Sequence, residues 1–217
     1  MAPACAAPGE FSVLQIGPMA VWPPVILAPM AGVTDVPFRA LCREYGEQGR
    51  TAGASPLSVD AAPGLYVNQM ITARAWLENH PKTLKLAEFG GDESPRSIQL
   101  YGTVPEDVGE TVRRLVDQGA VDHIDMNFGC PVPKVTKHGG GAALPVRHRL
   151  LRRIVHAAVA GAGDIPVTIK FRIGVDDDVM TFIETGRIAE DEGCAAIALH
   201  ARTAEQLYSG HARWHAI

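Results

Sequence analysis

Apolar residues along this chain return in two alternating rhythms. Short apolar or period-two runs are followed by longer runs in which apolar positions recur every three or four residues. Val25-Ile26-Leu27-Ala28 predicts a buried strand, and Thr34 a helix N-cap behind it. Phe38, Leu41, Cys42 and Tyr45 then form the apolar stripe of that helix. Leu65 to Val67 and Ser97 to Tyr101 read as the second and third strands. The next helix carries Val108, Val112, Leu115 and Val116 on one face and stops at Gly119. Val121 to Asn127 is the fourth strand, followed by a helix with Leu150, Leu151, Ile154, Val155, Ala158 and Val159 on its inner side. Pro166 introduces a fifth strand, Val167 to Arg172, and Ala195 to His200 is a sixth. Ahead of them, Phe11 to Val21 with Gly17-Pro18 at its centre reads as a hairpin.

Six β/α units in series leave two architectures, a doubly wound sheet and a (β/α)8 barrel. No Gly-x-Gly-x-x-Gly follows the first strand, so the dinucleotide fingerprint of a doubly wound sheet is missing. A complete barrel takes roughly 250 residues, whereas this chain has 217 and stops soon after the sixth strand. The expected fold is therefore an α/β (β/α)8 TIM barrel, incomplete at about six units, with a small N-terminal β-hairpin. Residues 1–10 are expected to be a disordered tail and 11–217 the partial barrel. Within it, 47–63 is an aperiodic insertion rich in Gly, Ala, Ser and Pro.

Strand phase adds chemistry to this outline. Thr168, Lys170 and Arg172 share one face of the fifth strand, opposite Val167, Ile169, Phe171 and Ile173. Asp125, Asn127 and Gly129 oppose Ile124, Met126 and Phe128; Gln99 opposes Ile98 and Leu100; Ala198 and His200 oppose Ile197 and Leu199. With the apolar faces under the outer helices, Gln99, Asn127, Lys170 and His200 converge inside the barrel near the strand C-termini, where barrel enzymes keep their sites. A buried Lys or Gln without a partner costs several kcal/mol. Such a ring is either a self-satisfied network or the seat of a polar ring system. Cys130 stands just beyond it in Gly129-Cys130-Pro131, ahead of the basic loop Lys134 to Gly141, whereas Cys42 lies in the helix stripe and reads as core.

Composition narrows the function classes. Hydrophobic residues make up 47% of the chain and charged ones 20%, with a net charge of −4. No apolar run reaches the roughly 18 residues of a membrane span, and the first residues lack a signal-peptide pattern. Cys5, Cys42, Cys130 and Cys194 form no C-x-x-C pair, which argues against a zinc knuckle or a disulfide framework and for a reducing, cytoplasmic compartment. The charge is unevenly spread: Met126 to Gly163 holds no Asp or Glu but contains Lys134, Lys137, Arg147, Arg149, Arg152 and Arg153. That stretch suits a phosphate backbone, or else a solvated helix face.

Five blocks together resemble the tRNA-dihydrouridine synthase family. They are Leu27 to Asp35 (LAPMAGVTD), Gln99 to Gly102, Asp125 to Pro131 (DMNFGCP) with Lys134-Val135, Thr168 to Arg172, and His200 to Thr203 (HART). The resemblance runs from about Phe11 to Ile217, except across 47–63. It implies an FMN-binding barrel that uses NADPH to reduce the uridine C5=C6 bond in tRNA. It further implies that Pro29, Met30 and Ala31 line the flavin, Gln99 reads its pyrimidine edge, and Lys170 and His200 hold its polar side. Asn127 would lie near the base and Cys130 would be the general acid, with Lys134, Lys137 and Arg202 toward the RNA. A monomer at full length, with no membrane or metal partner, completes the expectation. The rivals are a flavin barrel reducing a free pyrimidine and an inactive fragment that keeps only RNA binding. With two β/α units missing, the 217-residue polypeptide alone is expected to bind FMN weakly or not at all.

Overall fold

The structure, a computed structural model, describes residues 12–52 and 60–217. It opens with an antiparallel hairpin, β1 (Leu14–Ile16) and β2 (Met19–Val21), joined by the two-residue turn Gly17-Pro18 in the register Leu14↔Val21. The expected tail at 1–10 lies outside the described residues. Then follow β3 (Ile26–Leu27), α1 (Val36–Ala52), β4 (Leu65–Tyr66), β5 (Ile71–Thr72), and the short helices α2 (Ala73–Leu77) and α3 (Pro81–Leu86). The remainder is β6 (Ser97–Tyr101), α4 (Pro105–Asp117), β7 (His123–Phe128), α5 (Pro133–Thr136), α6 (His148–Ala162), β8 (Val167–Arg172), α7 (Phe182–Asp191) and β9 (Ala196–His200).

Strands β5 to β9 form one parallel sheet in sequence order, and β3 pairs in parallel with β4. A single bridge, Val67↔Ser97, joins the two sets. Because Ile71 lies opposite Leu100, the 65–72 segment advances four residues while β6 advances three. It is thus one strand with a bulge at Asn68–Met70. The Asn68 side chain fills the gap by accepting the Gln99 backbone N–H at 2.8 Å. This interruption is why the sequence pattern breaks after Val67 and does not reveal β5, α2 or α3.

The core lies between the outer faces of β6, β7 and β8 and the helices α4 and α6. Ile98, Leu100, Ile124, Met126, Phe128 and Ile169 are fully buried there against Val108, Val112, Leu151, Ile154 and Val155. The two helices touch at glycine: a Cβ on Gly161 would meet the Gly109 carbonyl at 2.8 Å.

Several expectations need correction. Val25 and Ile26 are not a buried strand, since both are exposed, and so is Ile197 on β9. Among the described residues β3 and β9 are edge strands with one neighbour each, so these side chains lack cover on one side. Leu41 and Tyr45 on α1 are exposed as well, and among the described side chains of α1 the buried one is Arg39. Helix α1 begins at Val36, capped by Asp35, whose Oδ1 accepts the Phe38 N–H at 3.1 Å. Thr34 turns inward and its Oγ1 exchanges hydrogen bonds with the Met30 backbone. The helix continues to Ala52, so the start of the 47–63 insertion is helical, and residues 53–59 of it lie outside the described residues.

Candidate functional site

The strand registers set the polar side chains on a staircase rather than one level. Gln99 lies opposite Asp125, which lies opposite Thr168. Two residues higher, Asn127 is opposite Lys170; two higher again, Arg172 is opposite His200. A parallel sheet whose neighbours climb in this way brings residues of four strands to one mouth at the strand C-termini.

There the structure forms a cavity of about 470 Å³. One wall is Pro29, Met30 and Ala31 from the β3–α1 loop, and Met70 from the bulge adds to it. The facing side carries Gln99, Asn127, Lys170 and His200, with Cys130 and Pro131 at the edge. Arg172, Leu207 and Tyr208 complete the rim. Every residue expected to line the cofactor therefore meets here, together with Asn127 and Cys130. No carboxylate lines the cavity among the described residues.

The loop wall is held from behind. Arg39 donates to both carboxylate oxygens of Glu93, at 2.6 and 2.9 Å, and to the carbonyls of Thr34 and Glu88. Its guanidinium stacks 5.5 Å from the Phe89 ring centre. Thr34 is bonded to Met30, and Gly32 N donates to Gln69 Oε1 at 2.9 Å, so the segment from Met30 to Thr34 is fixed on two sides.

Electrostatics divide the inner face. The lower part is paired: Asp125 accepts from Gln99 Nε2 and Thr168 Oγ1, both at 2.6 Å. Burial still pushes its carboxyl up to about 6, against those hydrogen bonds and the charge of Lys170. Burial alone pushes His123 down to about 4. The upper part is cationic. Lys170 makes no hydrogen bond or ion pair with any described residue, and burial lowers its pKa. His200 is pushed down to about 4 by burial and then by Arg172, Lys170 and Arg202, so it is neutral at physiological pH. A neutral His200 whose Nε2 lies 3.3 Å from the Arg202 guanidinium accepts there and carries its proton on Nδ1.

Three expected RNA contacts do not reach this cavity. Lys134 lines a neighbouring one of about 370 Å³ with Arg74, Tyr101 and His138. Lys137 is exposed and lines neither. Arg202 folds back to donate to the Ser209 and Gly210 carbonyls, which ties down the 203–210 loop. The basic 126–163 stretch is also less free than its sequence suggests: Arg152 pairs with Asp191 and Glu192, and Arg153 with Glu106. Sequence phase put Asp125 and Arg172 on the correct face without singling them out. Tyr208 stands in an aperiodic loop that carries no such signal; its ring lies 5.6 Å from the Arg172 guanidinium. Among the described residues no cluster of three potential metal ligands occurs, and no helix is long and apolar enough to cross a membrane.

Residues 26–217 match the family described as dihydrouridine synthase (Dus). A probable tRNA-dihydrouridine synthase of Mycobacterium tuberculosis is 56% identical over 206 residues, covering 94% of this chain and 51% of that protein. Its counterpart in Mycobacterium leprae is 52% identical over 201 residues, 87% of this chain and 52% of that protein. The tRNA-dihydrouridine synthase B of Xanthomonas campestris is 41% identical over 201 residues, 93% and 55% of the two chains. The chain spans about half the length of the curated relatives it matches.

Proposed function

The chain belongs to the dihydrouridine synthase family, and from that membership we propose that it is the flavin-binding catalytic part of a tRNA-dihydrouridine synthase. In this reading its six units are consecutive staves of a (β/α)8 barrel, its cofactor is FMN, its reductant NADPH and its substrate a uridine of tRNA. The whole protein is a cytoplasmic monomer.

The observation that carries the proposal is the meeting of six cofactor candidates and one thiol in a single cavity. The residues present fit a flavin. A volume near 470 Å³ lies in the range of cofactor pockets. The Pro29-Met30-Ala31 wall offers an apolar face, Gln99 an amide for the pyrimidine edge, and Lys170 a cation with no hydrogen-bond or ion-pair partner among the described residues. Bound FMN, once reduced by NADPH, would supply the hydride that goes to uridine C6.

The protein's own groups do the rest. Cys130 gives its thiol proton to C5, the carbon on which negative charge develops when C6 is attacked. The ammonium of Lys170 would hold the polar edge of the cofactor and offset negative charge there, and His200 would donate to it from Nδ1. Asn127 stands beside the entering base. A uridine stacked in folded RNA cannot reach this depth, so the base must be turned out into the cavity. Lys134 and Lys137 on the neighbouring surface, with Arg202 behind the rim loop, meet the RNA backbone.

Stopped-flow measurement on the full-length protein with Cys130→Ala tests the assignment. Flavin reduction by NADPH stays within about twofold, while uridine reduction falls by roughly 10²- to 10⁴-fold, the usual contribution of a general acid. Equal loss in both half-reactions would exclude Cys130 as proton donor.

A further inference from the structure

A chain of side-chain hydrogen bonds links the floor of the inner face to Cys130, and its direction is fixed at both ends. At the top, Asn127 Oδ1 accepts the backbone N–H groups of Gly129 and Cys130, at 3.2 and 2.9 Å. Backbone N–H can only donate, so the Asn127 NH2 group must face the other way, where it donates to Gln99 Oε1 at 2.9 Å. The Gln99 NH2 group is thereby turned to Asp125, to which it donates at 2.6 Å. An ionised carboxylate can only accept, so the lower end imposes the same direction independently.

A second arm converges on the same carboxylate. Thr168 Oγ1 donates to Asp125 Oδ1, so its oxygen is left to accept from His123 Nε2 at 3.0 Å. The His123 Nδ1 then accepts from Ser97 Oγ at 2.7 Å. Both arms point at Asp125, which is 4% exposed. Nothing behind Cys130 offers slack: Ala142 N donates to the Cys130 carbonyl, and a Cβ on Gly141 would strike that same oxygen.

We propose that Asp125 is a positioning residue for Cys130. As an acceptor-only group, it holds from below the same polarity of the Gln99–Asn127 amide chain that the backbone N–H groups require from above, and that polarity presents an oxygen rather than an NH2 group to the Gly129-Cys130 backbone. Reversing Gln99 alone would set two NH2 groups against each other and an amide oxygen against the Asp125 carboxylate; reversing Asn127 with it would set an NH2 group against two backbone N–H donors and displace the thiol. The significance rests on the reading of Cys130 as the proton donor; the geometry does not, and the test is scored without substrate or reductant.

The test is a polarity swap in the full chain. Asn127→Asp puts carboxylates at both ends, and the single Gln99 NH2 group can serve only one of them. Adding Asp125→Asn lets the chain run in reverse with every group partnered: the carboxylate at 127 accepts from both backbone N–H groups and from Gln99, and the amide at 125 donates to Gln99 Oε1. Thermal melting and alkylation of Cys130 by iodoacetamide, resolved by peptide mass spectrometry, provide the readouts. Asn127→Asp should lower the Tm and change the alkylation rate at least about fivefold; the double variant should recover both, the rate to within about twofold of the parent. A double variant as disturbed as Asn127→Asp, or more so, would overturn the proposal, since the charge beside the thiol is the same in both. Should Asn127→Asp not fold, a folded double variant with the parent rate is the same recovery, and two unfolded variants are the same refutation. A failed Cys130→Ala experiment would remove the acid and leave this outcome unaffected.

Discussion

Arg39 and Lys170 are both cations taken largely out of water, in two regions of the molecule, and their surroundings differ in kind. Arg39 lies behind the β3–α1 loop, 2% exposed, with a bidentate carboxylate, two carbonyls and an aromatic face. Lys170 stands inside the cavity with no acceptor among the described residues, and the buried Asp125 acts on it only through space. The first arrangement closes on itself and holds the fold. The second is complete only when something else supplies acceptors. Buried charge is costly in both places, so the region that leaves it unpaired is the one shaped for a ligand.

The largest expected effect breaks the closed side. Arg39→Met leaves Glu93 buried without its cation, which costs about 3–5 kcal/mol. Urea denaturation should show the midpoint falling with an unchanged slope. A loss under about 1 kcal/mol would mean that Glu93 finds other donors, and the contrast with Lys170 would weaken.

Removing the open cation should act in the opposite sense on stability. Lys170→Met deletes a desolvated ammonium that makes no hydrogen bond or ion pair with a described residue and feels Asp125 only through space. The flavin-free protein should therefore keep or raise its urea midpoint. FMN affinity of the full-length protein, followed by flavin fluorescence, should fall about ten- to a hundredfold, or about 1.4 to 2.7 kcal/mol. Loss of stability without loss of affinity would turn Lys170 into a structural residue.

Why was one of these cations legible in the sequence and the other not? Lys170 sits in a strand whose period-two pattern runs unbroken from Val167 to Arg172, and the strand forms over those same residues. Ser97 to Tyr101 and the stripes of α4 and α6 were equally readable, because strand or helix geometry alone dictates which residues are buried. Arg39 depends on Glu93, 54 residues away, across a bulged strand and two short helices. Nothing local marks that pairing, and the stripe through Leu41 and Tyr45 pointed to the wrong face. The same limit applies to Arg202: its motif was plain, but the loop that captures its side chain has no period. In the site, phase identified the inner residues, whereas the step between Gln99, Asn127 and Arg172 came only from register between strands.

Two histidines carry the same contrast at the smallest scale. His123 and His200 are both pushed down to about 4, the first by burial alone, the second by burial and three neighbouring cations. A histidine with a lowered folded pKa keeps its contribution to stability above the unfolded value near 6.5 and loses it as pH falls toward the folded value. Both should thus act against the fold between pH 6.5 and 4, and neither ring should titrate by NMR between pH 5.5 and 8. Ligand separates them. An anionic phosphate or flavin edge bound beside Lys170 and Arg172 offsets the cations that depress His200, and should raise its pKa by roughly one unit, about 1.4 kcal/mol. His123 is already partnered by Ser97 and Thr168 below the cavity and should not move. If FMN shifted both histidines equally, the lower part of the inner face would be part of the binding site, and the division between a closed and an open region would fail.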